Sequence, residues 1–250
     1  MTDSSFERVD LSGARFRLVD LSGSRFRDVT LRGASMRGVE LVDVDISGLV
    51  ARVTVNGVDI APLVQAELDR RDPERLLMRP TDAEGFRRAW DVIEKRWGET
   101  VQRARRLDPA LLHESVDDEW SFVETLRHLV FATDAWVRRA VLGEPAPWDP
   151  LDLPSSELPD IPGVSRQSTL RPSLDEVLAL RLDRMATVRR VVDDLTDESL
   201  AASGPLVEAP GWPEPGSHPV RQCLLVVLDE EWEHRLYAER DLAVLESRTG

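Results

Sequence analysis

Val9-Asp10-Leu11-Ser12-Gly13-Ala14-Arg15-Phe16-Arg17-Leu18-Val19-Asp20-Leu21-Ser22-Gly23 places a large apolar residue at every fifth position. The phase extends outward in both directions without a slip, through Phe6, Leu11, Phe16, Leu21, Phe26, Leu31, Met36, Leu41 and Ile46. Two positions before most of them stands a small or β-branched residue: Val9, Ala14, Val19, Ser24, Val29, Ala34, Val39, Val44. A helix repeats every 3.6 residues and a strand every 2, so neither accounts for a period of five. A square coil does: each five-residue face turns its large and small residues inward and leaves three toward solvent.

These residues resemble the pentapeptide-repeat family over about residues 4–48. The resemblance implies a short right-handed quadrilateral β-helix of roughly two coils, which needs caps because a solenoid cannot bury its own ends. Immediately downstream, Val53-Thr54-Val55, Asn56-Gly57 and Val58-Asp59-Ile60 read as a hairpin, since Asn-Gly between β-branched residues favours a two-residue turn. It is expected to cap the coil, so that residues 1–61 form one domain and 62–250 a second. Some pentapeptide-repeat proteins mimic DNA, which requires a long, strongly negative rod. Residues 1–50 carry seven Arg against eight Asp and Glu, so a scaffold is the better reading of this segment.

The whole chain has 250 residues and a formal charge of −14, which disfavours nucleic acid and anionic membranes as partners. No apolar run is long enough to span a bilayer, and no basic-then-apolar leader opens the chain. Cys223 is the single cysteine, which fits a reducing compartment, with the cytoplasm as default. Lys95 is the single lysine; every other such cation is arginine, a bias that points to GC-rich coding.

After a connecting helix near 62–71, four long helical patterns follow, and they predict an all-α four-helix bundle. The first is expected over 82–107 with Thr81 as N-cap and Glu84 completing a capping box. The second is expected over 121–142, stopping at Gly143. The third, over 173–195, opens on Ser173 with Glu176 three residues on, and the fourth spans 219–245. A short link between the first two favours antiparallel neighbours, whereas about thirty proline- and aspartate-rich residues separate the second and third. The expected order is therefore up-down-down-up, with a long loop of the kind that often lines a site.

Chemistry concentrates on the inward stripes of the second and fourth helices. The fourth helix's seam reads Val220, Cys223, Val227, Glu230, His234, Tyr237, Asp241, changing halfway from apolar to ionisable. Glu230 and His234 lie one turn apart, as do Glu124 and His128 in the second helix, so each pair can reach one point. Buried ionisable groups demand partners or a metal. Two such helices fit a carboxylate–histidine metal site, and equally fit Glu–His pairs that simply hydrogen-bond in a core. His113 and His218 fall in hydrophilic loops and read as surface. Cys223 reads as a small apolar core residue, and the tryptophans, Trp120 included, as mostly core.

Trp120-Ser121 with Glu124-Thr125-Leu126-Arg127-His128-Leu129-Val130, and Glu230 through Leu242, resemble the DinB-like superfamily over about residues 80–245. That superfamily includes thiol-dependent transferases and the mycothiol-dependent maleylpyruvate isomerase. The resemblance implies a divalent metal on His128, Glu230 and His234; Glu230 matches the Glu-x3-His pattern of the mycothiol-linked branch. It leaves Glu124, with Tyr237 and Asp241, as second-layer candidates. Three protein ligands leave a metal face open. The implied activity is transfer or isomerisation with a low-molecular-weight thiol (mycothiol, for such a source) and an electrophilic substrate. The metal is expected to be Zn, with Ni, Fe or Mn accepted by the same donors. The competing function is a non-catalytic interaction scaffold working through the coil, its metal structural or absent; an exposed coil flank could also form a homodimer.

Overall fold

A computed structural model describes residues 5–27, 29–164, 166 and 169–249. The chain divides into two compact units, residues 1–50 and 51–250.

In the first unit the period of five is written into the backbone. Arg8, Gly13, Leu18, Gly23, Gly33, Gly38, Asp43 and Gly48 all have positive φ, so a corner falls at each fifth residue. At Leu11, Leu21 and Leu31 the carbonyl accepts from the amide three residues on, closing the turn at 2.9, 3.0 and 3.1 Å. Asp10 and Asp20 brace two of these turns by accepting from the Ser12 and Ser22 amides at 2.8 and 2.9 Å. Strand ladders, expected of a β-helix, are absent among the described residues of this unit. Nor is the large apolar phase buried; it stays substantially exposed. In a solenoid of about two coils, each coil is an end coil and lacks a neighbour on one side.

The second unit opens with the expected hairpin, β1 (Thr54–Val55) and β2 (Val58–Asp59), antiparallel with Val55 opposite Val58. It groups with the helices: the Ile60 amide returns to Val53 O at 2.9 Å, and Asp59 caps the Ala61 amide at 3.1 Å. Six helices follow: α1 (Ala61–Arg71), α2 (Ala83–Ala104), α3 (Phe122–Thr133), α4 (Leu174–Asp193), α5 (Asp197–Ala201) and α6 (Val220–Thr249). The short α5 and a 3-10 turn at Pro73–Met78 have too little periodicity to stand out in the sequence.

Caps set the starts. Asp82, not Thr81, caps α2, accepting from the Gly85 amide at 2.7 Å, while Asp197 of α5 accepts from the Ala83 amide at 2.9 Å. A carboxylate suits the positive end of the helix dipole. Ser121 with Glu124, and Ser173 with Glu176, form complete capping boxes on α3 and α4. Beyond Thr133 the second bundle helix widens into a π-helical stretch, Asp134–Arg139, and ends before Gly143, whose φ is +79°.

α2, α3, α4 and α6 enclose one core around Phe86, Trp90, Ile93, Leu126, Leu129 and Leu242. α3 packs on α4 and α6, and α2 packs on the same pair. α2 and α3 therefore sit diagonally rather than as neighbours; residues 105–121 connecting them include a 3-10 turn and are long enough to cross a bundle end. Cross-helix bonds join Trp97 to the Glu231 carbonyl, Thr100 to Glu239 and Arg103 to Glu246 between α2 and α6. Between α2 and α4, Arg87 meets the Val192 carbonyl and Glu94 meets Arg189. No described helix is long and apolar enough to cross a membrane.

Candidate metal centre

His128 lies mid-α3 and Glu230 and His234 one turn apart on α6, and the packing of α3 on α6 brings all three together. One donor atom from each lies within 4.8 Å of the others, the one such trio among the described residues. His128 Nε2 stands 3.1 Å from Glu230 Oε2, and His234 Nε2 stands 3.4 Å from the same oxygen. The two imidazole centroids are 4.6 Å apart. The side chains are 8%, 30% and 19% exposed for His128, Glu230 and His234, so solvent reaches the cluster past the glutamate.

The second contact is too poorly aligned to be a hydrogen bond: neither nitrogen of His234 has a hydrogen-bond partner among the described residues. A buried imidazole left so is costly unless something else takes its lone pair. Burial and then His128 push the His234 pKa down to about 4, with Glu230 opposing and Arg181 adding to the fall. His234 is thus a neutral donor near neutrality. Burial opposes ionisation of Glu230, but its hydrogen bond with His128 and the electrostatic pull of the neighbouring imidazoles outweigh burial and hold the carboxyl below its ordinary range. Two neutral-capable imidazoles and an ionised carboxylate converging on one point are the donor set of an open divalent-metal site, so these residues fit such an ion.

The second layer differs from expectation. Glu124 does not serve His128. Its Oε2 accepts from the Ser121 amide and hydroxyl at 2.9 and 2.7 Å, because the third position of a helix places a glutamate beside the cap. His128 instead sets its Nδ1 3.0 Å from the Leu153 carbonyl. A carbonyl only accepts, so Nδ1 carries a proton and Nε2 is the nitrogen that faces the cluster, where a bound ion would take its lone pair. Asp241 is bonded by Arg240 Nε at 2.7 Å and points its charge there rather than at the histidines. Tyr237 remains beside the site, its ring 6.0 Å from His234.

Sequence reasoning missed three further participants. Trp120 is a wall rather than core: its ring lies 4.5 Å from His128 and 5.9 Å from His234. Leu153 enters through its backbone, which carries no side-chain signature. Arg181 of α4 forms a fully buried ion pair with Glu231, the residue after the metal-facing glutamate. Elsewhere, His218 bonds the Glu214 carbonyl at 2.9 Å. Cys223 is buried beside a cavity of about 250 Å³ lined by Trp136 and Trp212, and burial pushes its thiol up to about 11, so it supplies no thiolate.

The model of the DinB superfamily matches residues 93–238, more than half of the chain, and takes in all three converging donors. The chain belongs to the DinB superfamily. Ahead of this DinB region, the pentapeptide-repeat model matches eight copies within residues 1–38 and 10–48. No curated protein and no solved structure matches this DinB chain.

Proposed function

We propose that the helical unit is an up-down-down-up bundle holding one divalent metal on His128, Glu230 and His234, and that it uses the metal's open face to activate a low-molecular-weight thiol for transfer or isomerisation. The observation that carries this is the convergence of three donors, with the buried nitrogens of His234 lacking hydrogen bonds among the described residues. Supporting the topology, paired residue numbers rise together between α2 and α6, and run oppositely between α2 and α4 and between α3 and α6. The corner at each fifth residue supports a quadrilateral coil for residues 5–48.

A bound zinc-like ion would supply a Lewis-acid centre that lowers the pKa of a thiol or water toward neutrality. The chain's residues prepare that chemistry. Leu153 fixes the His128 tautomer, burial keeps His234 neutral, and the half-exposed Glu230 marks the side from which thiol and electrophile enter. Trp120 and Tyr237 offer an apolar wall beside that entrance. Zn is the leading metal, with Ni, Fe or Mn suited to the same donors, and mycothiol is the thiol that the resemblance to the mycothiol-linked branch implies. The formal charge of −14 supports small-molecule partners over nucleic acid or membrane, and a lone cysteine supports a cytoplasmic setting. One observation favours a second reading, a non-catalytic scaffold or a homodimer formed through the coil: the exposed apolar phase of residues 6–46.

The test is elemental analysis of untagged protein beside His128→Ala. About one metal per chain, absent from a variant with unchanged circular dichroism, is the expected result. A wild type that neither contains zinc or nickel nor takes either up overturns the metal reading.

A further inference from the structure

The long loop between the π-helical stretch and α4 does more than connect. From Asp149 to Leu153 it is stitched to two successive residues of α3. Arg127 Nε donates to the Leu151 carbonyl at 2.9 Å, and His128 Nδ1 donates to the Leu153 carbonyl at 3.0 Å. Between those carbonyls lies Asp152, wholly buried, as is Leu153.

Asp152 is locked into a reciprocal turn. Its Oδ2 accepts from the Asp149 amide at 3.0 Å, and its own amide donates to the Asp149 carbonyl at 3.0 Å. Asp149 Oδ1 then accepts from the Leu151 amide at 2.9 Å. The turn sits over the buried ion pair of Asp134 with Arg184, whose guanidinium reaches Asp134 at 2.7 and 3.0 Å and approaches Asp149 at 4.0 Å. A buried carboxyl is an expensive way to hold a surface turn, and a serine or asparagine would make the same bend in solvent. Its position, one residue before the carbonyl that meets His128, gives that burial a purpose.

We infer that Asp152 is a positioning residue for the metal centre: through the turn it forms with Asp149 it fixes the Leu153 carbonyl against His128 Nδ1, and so holds His128 Nε2 as the metal-facing nitrogen. This rests on the metal reading above, but the strap and the Nδ1 hydrogen bond exist without the ion. Bonds to the far nitrogen of a ligand histidine set its orientation and basicity, and their loss typically lowers metal affinity about 10–100-fold. Burial, then the charges of Asp134 and Asp149, push the Asp152 carboxyl up to about 8. The neutral acid presents one acceptor and one donor oxygen, and an asparagine amide reproduces that pair.

The test compares Asp152→Ala and Asp152→Asn with wild type by zinc affinity in chelator competition and by ¹⁵N NMR of the histidine ring nitrogens in the metal-free protein. Asp152→Ala is expected to bind zinc about tenfold or more weakly and to lose the hydrogen-bonded Nδ1 proton signal of His128, while Asp152→Asn keeps both near wild type. A folded Asp152→Ala with wild-type affinity and an unchanged His128 spectrum overturns the proposal. Should Asp152→Ala not fold, Asp152→Leu fills the same buried volume without the acceptor and must weaken zinc binding and loosen the His128 Nδ1 bond; unchanged values overturn it equally. If wild type binds no zinc, the metal reading fails alone, and the His128 spectrum still decides whether Asp152 holds the Nδ1 bond.

Discussion

In residues 5–49 the large apolar phase lies open, from Leu11 at 47% exposure to Phe6 at 73%, whereas in residues 51–250 even Arg127, Asp134 and Glu231 are buried. One unit exposes what water rejects, and the other encloses what water prefers. The difference separates two sources of order. In the coil, local geometry suffices: a left-handed residue every fifth position and an Asp or Gly at the turn define the path without a core. In the bundle the backbone is ordinary helix, and order comes from packing around polar groups that tolerate only one arrangement. Chemistry belongs to the second kind, because a site needs groups held against their preference for solvent.

The hardest test of that contrast is Arg181→Met. Arg181 pairs with Glu231 in the core, while Arg181 Nε and Nη1 and Glu231 Oε1 have no hydrogen-bond partner among the described residues. Burial raises the Glu231 pKa and Arg181 counters it, so removing the guanidinium leaves a carboxyl with nothing to offset its desolvation. The expected cost is about 3–5 kcal/mol in urea unfolding, most of it recovered in Arg181→Met with Glu231→Leu, since an apolar pair of similar volume carries no desolvation penalty. A single variant within about 0.5 kcal/mol of wild type would mean that the bundle does not depend on its buried charge.

An effect smaller at each pH unit follows from Asp152. Its carboxyl is held at about 8 in the folded chain, against 3.8 for the ordinary group. Between those values the unfolded chain has released a proton that the folded chain keeps. Stability therefore falls as pH climbs from about 4 to about 8, by at most ~1.4 kcal/mol per pH unit. Asp152→Asn has no proton to release, so its urea midpoint relative to wild type rises between about pH 5 and about pH 8, in chelator to keep metal out. Parallel midpoints would show that Asp152 is ionised in the fold.

The sequence makes some of this plain and hides the rest for physical reasons. Capping boxes at Ser121 and Ser173 are local, so helix starts are legible; that Asp197 of α5 takes the Ala83 amide beside the Asp82 cap is a tertiary fact. His128, Glu230 and His234 stand out because ionisable residues interrupt an apolar seam. Glu124 is misleading because one spacing serves both a capping box and a ligand turn, and only the fold decides between them. Leu153 is invisible, since any residue offers a carbonyl. The absence of strands and of burial among the described residues of the coil is likewise illegible: the period of five dictates where the chain turns, but not whether anything covers what it turns inward.

The mildest expectation is therefore also the one that could undo the contrast. Phe16 is 66% exposed between Arg15 and Arg17, in a unit where no described residue of the phase is buried. Phe16→Ser removes an aromatic ring that already meets water, so the lost transfer energy is small, and the variant should lie within about 0.5 kcal/mol of wild type. Thermal unfolding of the full chain, followed by far-ultraviolet circular dichroism at low and high protein concentration, reads this directly. An unmoved midpoint keeps the coil as order without a core. A fall of several degrees that grows with concentration would mean that Phe16 is covered in solution by a second chain, because only a partner in equilibrium makes the midpoint depend on concentration. The coil's apolar phase would then be a core completed between molecules.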